Sequence, residues 1–208
     1  LAELGAAPSG GGSALWTGEV LATRPAAIEE AHARMISAGA RVVLAAGYQV
    51  SRMGAVASGR RPEEADELLV EATRRAVTAR DSMRAQRPGP AWVAASIGPY
   101  GAALADGSEY RGRYALARSE LAEFHRGRLT VWGEAQRRPS TRADVWWCET
   151  LPDGTEAEVL ADELVRASTA LGEQGLPVPE IVVTMTVRSD GRCPTGEPVD
   201  EALAPILG

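Results

Sequence analysis

The sequence predicts an α/β fold in which a parallel β-sheet is covered by amphipathic helices. Two observations predict it. Four apolar runs of strand length alternate with helical patterns, and strands that are apolar on both faces are typical of a parallel sheet. Each run also ends in a polar or glycine-rich stretch, where α/β proteins place their functional groups. The strands are predicted at 41–49, 91–101, 144–150 and 180–187.

The helices are predicted from apolar residues that recur every three or four positions. Pro25 suits a first helical turn, and the apolar positions that follow it continue until Gly39. Two stretches are instead predicted as loops, the Gly/Ser-rich Ser9–Ser13 and the surface segment RRPSTR at 137–142. Further helices are predicted at 62–86, 119–134 and 155–172, and a last short helix begins near Pro198.

Composition indicates one globular domain over residues 1–208, or most of a larger α/β barrel. Hydrophobic residues make up 45% and charged residues 24% of the chain, which is ordinary for a folded protein. No apolar run approaches the roughly 20 residues that a bilayer requires, and no signal-peptide pattern is present, so we expect a cytoplasmic protein without membrane contact. The net charge of -6 provides no basic stripe, which argues against nucleic acid as a partner.

Two features of residue usage exclude whole classes of function. The sequence contains no lysine, so Schiff-base enzymes and P-loop nucleotide-binding proteins are excluded. Its two cysteines, Cys148 and Cys193, are too far apart for a CxxC metal knuckle and too few for a disulfide scaffold. We therefore expect two reduced thiols.

The strand ends, taken together, resemble the homocysteine S-methyltransferase family. The likeness extends over nearly the whole chain and implies a TIM (β/α)8 barrel. About five of its eight units would be present, because the chain begins just past the family's first-strand Asp-Gly-Gly and stops before the sixth strand. The segments that carry the resemblance are LW (15–16), AGYQ (46–49), SIGPYGAALADGSEYRG (96–112), FHR (124–126) and CETLP (148–152).

The resemblance implies methyl transfer to homocysteine, giving methionine, from a sulfonium donor, either S-methylmethionine or S-adenosylmethionine. In the family a zinc ion holds the homocysteine sulfur as thiolate, the form that attacks a methyl carbon. The family's zinc cysteines stand in Asn-Cys and Gly-Gly-Cys-Cys contexts, which this chain lacks. We therefore expect less than stoichiometric zinc and no methionine formation from this chain alone.

The resemblance also assigns six substrate-binding residues. Glu149 matches the carboxylate that holds the amino group of homocysteine. Tyr48 and Trp16 match aromatic positions on the methyl-donor side, where a ring face can attract a sulfonium. The remaining three lie in a loop expected to line the pocket: Gly98, Tyr100 and Gly101. Tyr100 could either stack on substrate or close this loop.

Other polar residues have simpler interpretations. We expect Cys148 to be a small packed residue at the end of a strand and Cys193 to be an exposed free thiol. His32 is predicted to be packed or at the surface, and His125 to brace a strand-end loop. Two acids of one loop, Asp106 and Glu109, could satisfy their own backbone.

Three functions remain open from the sequence. The first is the methyltransferase. The second is a non-catalytic remnant that binds an amino acid or a partner subunit, and its open sheet edge would favour a homo-oligomer. The third makes Glu149 a general acid or base in a barrel hydrolase, with Asp190 or Asp106 as the second carboxylate.

Overall fold

The structure, a computed structural model, describes residues 1, 4, 15–87 and 89–207. Within them four parallel strands form one sheet in the order β1-β2-β3-β4, which confirms the predicted α/β class and all four strands. The predicted Ser9–Ser13 loop lies outside the described residues. The strands are β1 (Val42–Leu44), β2 (Trp92–Ile97), β3 (Val145–Leu151) and β4 (Glu180–Met185).

Helices connect the strands, and the five predicted helices are all confirmed, with ends that shift by a few residues. Three short helices of five to seven residues were not predicted, because such lengths show too little periodicity. They are α1 (Thr17–Thr23), α3 (Arg52–Ala57) and α5 (Tyr100–Leu104). The helices in the described part of the chain are α1 (Thr17–Thr23), α2 (Pro25–Ser37), α3 (Arg52–Ala57), α4 (Pro62–Met83), α5 (Tyr100–Leu104), α6 (Arg118–Ala135), α7 (Gly154–Glu173) and α8 (Val199–Leu207). None of them is long and apolar enough to cross a bilayer.

Strand β1 is shorter than predicted because the chain turns immediately after it. The backbone N–H of Ala45 still donates to Ala94 of β2 at 2.8 Å, but Gly47 then donates back to Ala45 at 2.7 Å. This turn ends the ladder and carries Tyr48 over the carboxyl end of the sheet. In a parallel sheet this edge is shared by all strands, so the segments that follow β1, β2 and β3 meet there.

The core lies between the sheet and its helices and includes the end of β3. Trp146 and Cys148 are both fully buried, and Cys148 is a free thiol whose pKa burial raises to about 12. The expectation that Cys148 is a packed residue is confirmed, since a protonated, enclosed thiol is neither a nucleophile nor a ready metal ligand.

Two sequence predictions fail because loops fold back onto the core. Cys193 was expected to be exposed but is fully buried. Its segment forms a tight turn, in which Cys193 N–H donates to Glu197 at 2.8 Å and turns the thiol inward. The segment 137–142 is not wholly a surface loop either, because it contains a short 3-10 helix whose Thr141 is buried and donates to Ala135 O at 2.8 Å.

Candidate functional site

A cleft of about 430 Å³ opens at the carboxyl end of the sheet, between helix α2 and the segments that follow β1 and β3. Three of the six predicted site residues line it, namely Trp16, Tyr48 and Glu149. No arginine is among the described residues that form its wall, so Glu149 is the one charged side chain among them when the histidine is neutral. The other lining residues are Leu1, Thr17, Ile28, Ala31, His32, Met35, Leu44, Ala46, Gln49, Tyr110 and Thr150.

Glu149 lies near the carboxyl end of strand β3, directly after the buried Cys148, and its side chain lines this cleft. Its side chain is partly buried, and Ser96 Oγ on the neighbouring strand donates to its Oε1 at 2.5 Å. Burial raises the pKa of Glu149, and the hydrogen bond from Ser96 opposes part of that shift. A carboxylate that is partly removed from water and bonded to a neutral hydroxyl retains its capacity to bind a cationic group.

A bulge in β3 brings two consecutive side chains into the cleft. The pairing of β3 with β4 shifts register between Cys148 and Leu151, and Thr150 has a φ of 64°. Consecutive residues of a regular strand point to opposite faces, whereas here both Glu149 and Thr150 line the cleft. A β-branched residue in the left-handed region is strained, at a cost of about 1–3 kcal/mol. Such strain is typical of functional sites.

Tyr48 forms the aromatic wall of the cleft, and Gly98 permits its position. A Cβ atom at position 98 would lie 2.5 Å from the carbonyl oxygen of Tyr48 and 2.8 Å from its ring carbon Cδ2. Burial raises the pKa of the Tyr48 phenol above its ordinary value, so the ring is neutral. Gly98 therefore supports the cleft from behind Tyr48 and is not among the described residues that line it.

Tyr100 and Gly101 also lie outside the cleft. The backbone N–H of Tyr100 donates to Glu156 Oε1 at 2.6 Å, and His125 Nε2 lies 2.9 Å from the same oxygen. The Tyr100 ring packs edge-on against Phe124, with 5.1 Å between the ring centroids. These are the contacts of a residue that closes the loop, and His125 braces the same strand-end loop, while substrate stacking by Tyr100 stays a prediction.

Gly101 has a packing role in the same loop. A Cβ atom there would overlap the backbone nitrogen of Glu109, so only glycine allows the 108–110 turn to approach. Asp106 accepts from Ser108 N–H at 2.9 Å, as expected of a residue that satisfies its own loop. Glu109 differs, because it is buried and its Oε2 has no hydrogen-bond partner among the described residues.

Trp16 and His32 complete the outer wall of the cleft. Trp16 is 53% exposed and has a φ of 35°, a left-handed conformation that tryptophan rarely adopts. His32 is 6% exposed, and neither of its ring nitrogens has a hydrogen-bond partner within the described part of the chain. Burial lowers the pKa of His32 to about 4, so the imidazole is neutral at physiological pH. The sequence alone did not place this packed histidine in the same cleft as Glu149.

Sequence reasoning also missed Ser96, Thr150 and Arg128. Ser96 had a detectable signal, since a hydroxyl interrupts an apolar strand at its carboxyl end. Arg128 had a weaker one, because Phe124, Arg128 and Trp132 are four residues apart and so share one face of α6. No pattern in the sequence indicates the left-handed backbone of Thr150.

The residues present do not fit a zinc site. Among the described residues, no three His, Cys, Asp or Glu side chains come together in a way that could hold a metal ion. Both cysteines of the chain are buried, and the pKa of each thiol is raised, first of all by burial. A zinc thiolate ligand requires the opposite, a thiol that loses its proton readily.

The parallel β/α architecture, with a cleft at the carboxyl ends of the strands, is typical of units of a (β/α)8 barrel. The family model described as homocysteine S-methyltransferase matches residues 3–208, and the chain belongs to this family. This membership gives the hydrolase alternative no support, and Asp106, one of its two candidate carboxylates, is bound to its own loop.

Curated relatives and solved structures agree with this assignment. The chain is 43% identical over 152 residues to homocysteine S-methyltransferase YbgG of Bacillus subtilis, covering 70% of this chain and 46% of the relative. It is 35% identical over 196 residues to homocysteine S-methyltransferase of Escherichia coli, covering 93% of this chain and 58% of the relative. The chain thus spans about half the length of the curated relatives that it matches.

The structural comparison confirms the predicted barrel units. The metallated form of the homocysteine methyltransferase MmuM from Escherichia coli superposes with a TM-score of 0.81 at 33% identity, covering 94% of this chain and 63% of that one. Its oxidized form gives a TM-score of 0.84, covering 100% of this chain and 66% of the other. About five of eight barrel units were expected, and four strands lie within the described residues.

Proposed function

We propose that the cleft binds homocysteine and that the domain serves methyl transfer from a sulfonium donor, S-methylmethionine or S-adenosylmethionine, to the homocysteine sulfur, giving methionine. The observation that carries the proposal is the placement of Glu149. Its partly buried carboxylate lies in a cleft that has aromatic and apolar walls and no arginine among the described lining residues. Such a wall favours ligands with a positively charged group.

The ammonium group of an amino acid suits Glu149. Ser96 occupies one carboxylate oxygen, so Oε2 and further lone pairs remain for N–H donors of a ligand. A charge-assisted hydrogen bond in this partly dry environment is stronger than one between neutral groups. Gln49 also lines the cleft, and its buried Oε1 has no hydrogen-bond partner in the described chain, so it is a further acceptor close to a bound ligand.

The aromatic side chains suit the methyl donor. A sulfonium carries its positive charge on sulfur and its attached carbons, and the faces of Trp16 and Tyr48 can attract it by cation–π contact. Because burial keeps the phenol of Tyr48 protonated, its ring acts through its face rather than as an anion. Apolar Leu44 and Ala46 beside it exclude water from the methyl group.

The reaction is balanced without a redox partner. The homocysteine thiol loses its proton to solvent, and a sulfur lone pair forms the new S–C bond to the methyl group. The C–S bond of the sulfonium breaks with its electrons going to sulfur, which departs as a neutral thioether. The family's zinc would hold the thiolate, and the donor groups of these residues do not fit that ion. We therefore expect these 208 residues alone to bind the amino acid without turnover, because methyl transfer requires zinc ligands that they do not supply.

The test is a calorimetric titration of the 208-residue protein with L-homocysteine. Wild-type protein should bind, and Glu149→Gln should weaken the affinity about tenfold or more, because the charged acceptor is lost. Glu134→Gln, on the exposed face of α6, is the matched control and should bind as wild type does. Absence of binding by wild type, or equal binding by Glu149→Gln, would overturn the proposal.

The second candidate function, a non-catalytic amino-acid-binding remnant, is favoured by the misfit between the chain's thiols and zinc. Metal analysis and a methionine assay with both donors separate the two. Homocysteine binding with little zinc and no methionine supports the binding role, whereas stoichiometric zinc with turnover establishes the enzyme. A cytoplasmic location belongs to the same proposal, since both cysteines are unpaired, as is usual where thiols are kept reduced.

A further inference from the structure

We propose that Arg128 is a positioning residue, which holds the segments after β1 and β2 in the arrangement that the cleft requires. Arg128 does not line the cleft and has no place in the function proposed above. The inference rests on that proposed function only where it predicts ligand affinity. Its structural part, the position of Tyr48, stands separately.

The guanidinium of Arg128 joins two strand-end segments through backbone carbonyl groups. Arg128 projects from α6 and is 4% exposed. Its Nη1 donates to Gly98 O at 2.7 Å, and its Nη2 donates to Gly47 O at 3.1 Å and to Tyr48 O at 3.0 Å. One side chain thus binds two adjacent carbonyl groups after β1, those of Gly47 and Tyr48, and a third after β2, that of Gly98. The two segments are about 50 residues apart along the chain and lie at neighbouring strand ends.

Arg128 is a buried cation, and burying a charge costs more free energy than burying an apolar side chain of similar volume. Burial lowers the pKa of Arg128 to about 10, so the group stays charged at neutral pH. It forms no salt bridge with any carboxylate in the described ranges. The guanidinium carbon instead lies 5.3 Å from the ring centroids of both Phe124 and Trp132.

One of the three carbonyl groups belongs to Tyr48, the residue that forms the aromatic wall of the cleft. Tyr48 O is bound by Arg128, and the side chain of the same residue lines the cleft. Gly98, whose carbonyl Arg128 also binds, has no Cβ and lets the Tyr48 ring lie against it. The guanidinium therefore determines the distance between the two segments, and that distance determines where the ring lies.

Lysine cannot reproduce this geometry. The guanidinium is planar, with donors that diverge in fixed directions, whereas an ammonium is a single point charge at the end of a flexible chain. Arg128→Lys keeps the charge and much of the volume but cannot reach three carbonyl groups in the same plane. Arg128→Lys therefore tests whether the divergent donors of the planar guanidinium, here called the fork, are required, or whether a buried positive charge is sufficient.

The experiment combines two variants with a matched control on the same helix. Arg128→Lys and Arg128→Met remove the fork. Arg126→Met removes a half-exposed arginine of the same helix, which pairs with Glu163 of α7 at 2.7 Å. Each protein is labelled with 3-fluorotyrosine, and the fluorine NMR signals of its four tyrosines are assigned by Tyr→Phe replacement. Thermal melting shows which variants fold.

We expect the Tyr48 signal to shift or broaden in Arg128→Lys and to match wild type in Arg126→Met. Homocysteine affinity should fall about tenfold in Arg128→Lys, because small displacements of positioning groups have large effects. A folded Arg128→Lys with an unchanged Tyr48 signal and an affinity within twofold of wild type would overturn the proposal. Failure of both Arg128 variants to fold would also overturn it, by making the residue a requirement of the fold.

The two proposals fail in distinguishable ways. If wild type binds no homocysteine, the proposed function fails, and the fluorine signal of Tyr48 still tests the role of Arg128. If wild type binds homocysteine and Glu149→Gln does not, but Arg128→Lys behaves as wild type in both measurements, only the role of Arg128 fails.

Discussion

Charged side chains have different partners on the outer helices and at the carboxyl ends of the strands. On the outside, Arg75 of α4 binds Glu29 of α2 at 2.9 Å, and Arg126 of α6 binds Glu163 of α7 at 2.7 Å. At the strand ends, Arg128 binds only backbone carbonyls and Glu149 accepts from a hydroxyl. The charged side chains of the outer helices form ion pairs with one another. Those at the strand ends are bonded to neutral groups, so Arg128 can hold loops and Glu149 can bind a ligand.

The backbone shows the same difference. Gly133 of α6 has open space where a Cβ would lie, whereas a Cβ at Gly98 would lie 2.5 Å from the carbonyl oxygen of Tyr48. Thr150, beside Glu149, has a left-handed backbone that glycine would adopt without strain. The strand-end edge therefore carries strain, close contacts and unpaired polar groups that reduce stability. This trade is typical of a site selected for binding rather than for stability.

The largest expected effect comes from adding one methyl group at the strand ends. Gly98→Ala would place a carbon 2.5 Å from Tyr48 O, so the segment after β1 must move. We expect a loss of about 3 kcal/mol in the free energy of unfolding, measured by urea denaturation. Gly133→Ala, the matched control in a helix, should gain about 0.5–1 kcal/mol. Equal effects at the two glycines would remove the contrast between the regions.

A second effect, no larger than the first, is expected from His32 and depends on pH. Its pKa is about 4 in the folded protein, against 6.5 for an unperturbed histidine, so the unfolded chain binds the proton more readily. Stability should therefore fall as pH drops from 6.5 towards 4, by about 3 kcal/mol at most. His32→Leu should abolish this part of the loss, as shown by urea denaturation at several pH values. Parallel pH profiles for the two proteins would show that His32 is not buried in its neutral form.

The smallest effect is expected at Thr150 and has the opposite sign. Thr150→Gly should raise the free energy of unfolding by about 1 kcal/mol, because glycine adopts a φ of 64° without strain. Thr150→Ala keeps the Cβ and hence most of the strain, so it separates strain from loss of the hydroxyl. A destabilised Thr150→Gly would show that the bulge is not strained.

The sequence predicted the long elements well because their signal is local. The apolar runs around Val43 and Trp146 and the long helix α4 follow from periodicity, whereas five-residue helices such as α5 do not. Cys193 was misplaced because a turn-forming loop with Gly and Pro was taken to be exposed, although its backbone hydrogen bonds fold it inward.

The candidate site was predicted in part for a related reason. A strand-end motif indicates which segment contributes to a site but not which side chain faces it. Glu149, Tyr48 and Trp16 do line one cleft, whereas Gly98 lies behind Tyr48 and Tyr100 closes a neighbouring loop. Contacts such as that between Arg128 and Tyr48 join residues about 80 positions apart and leave no pattern in a single sequence.

The most direct test of the account compares the affinity for homocysteine and the stability of wild type and Glu149→Gln across pH. Because burial raises the pKa of Glu149, the ionised carboxylate destabilises the fold at neutral pH, and Glu149→Gln should be more stable there. The same variant should bind homocysteine at least about tenfold more weakly. Wild-type affinity should fall as the pH drops through the raised pKa, and the weak affinity of the variant should not. A variant that loses stability at neutral pH and keeps wild-type affinity would contradict the claim that Glu149 is held at this edge to bind a cationic ligand.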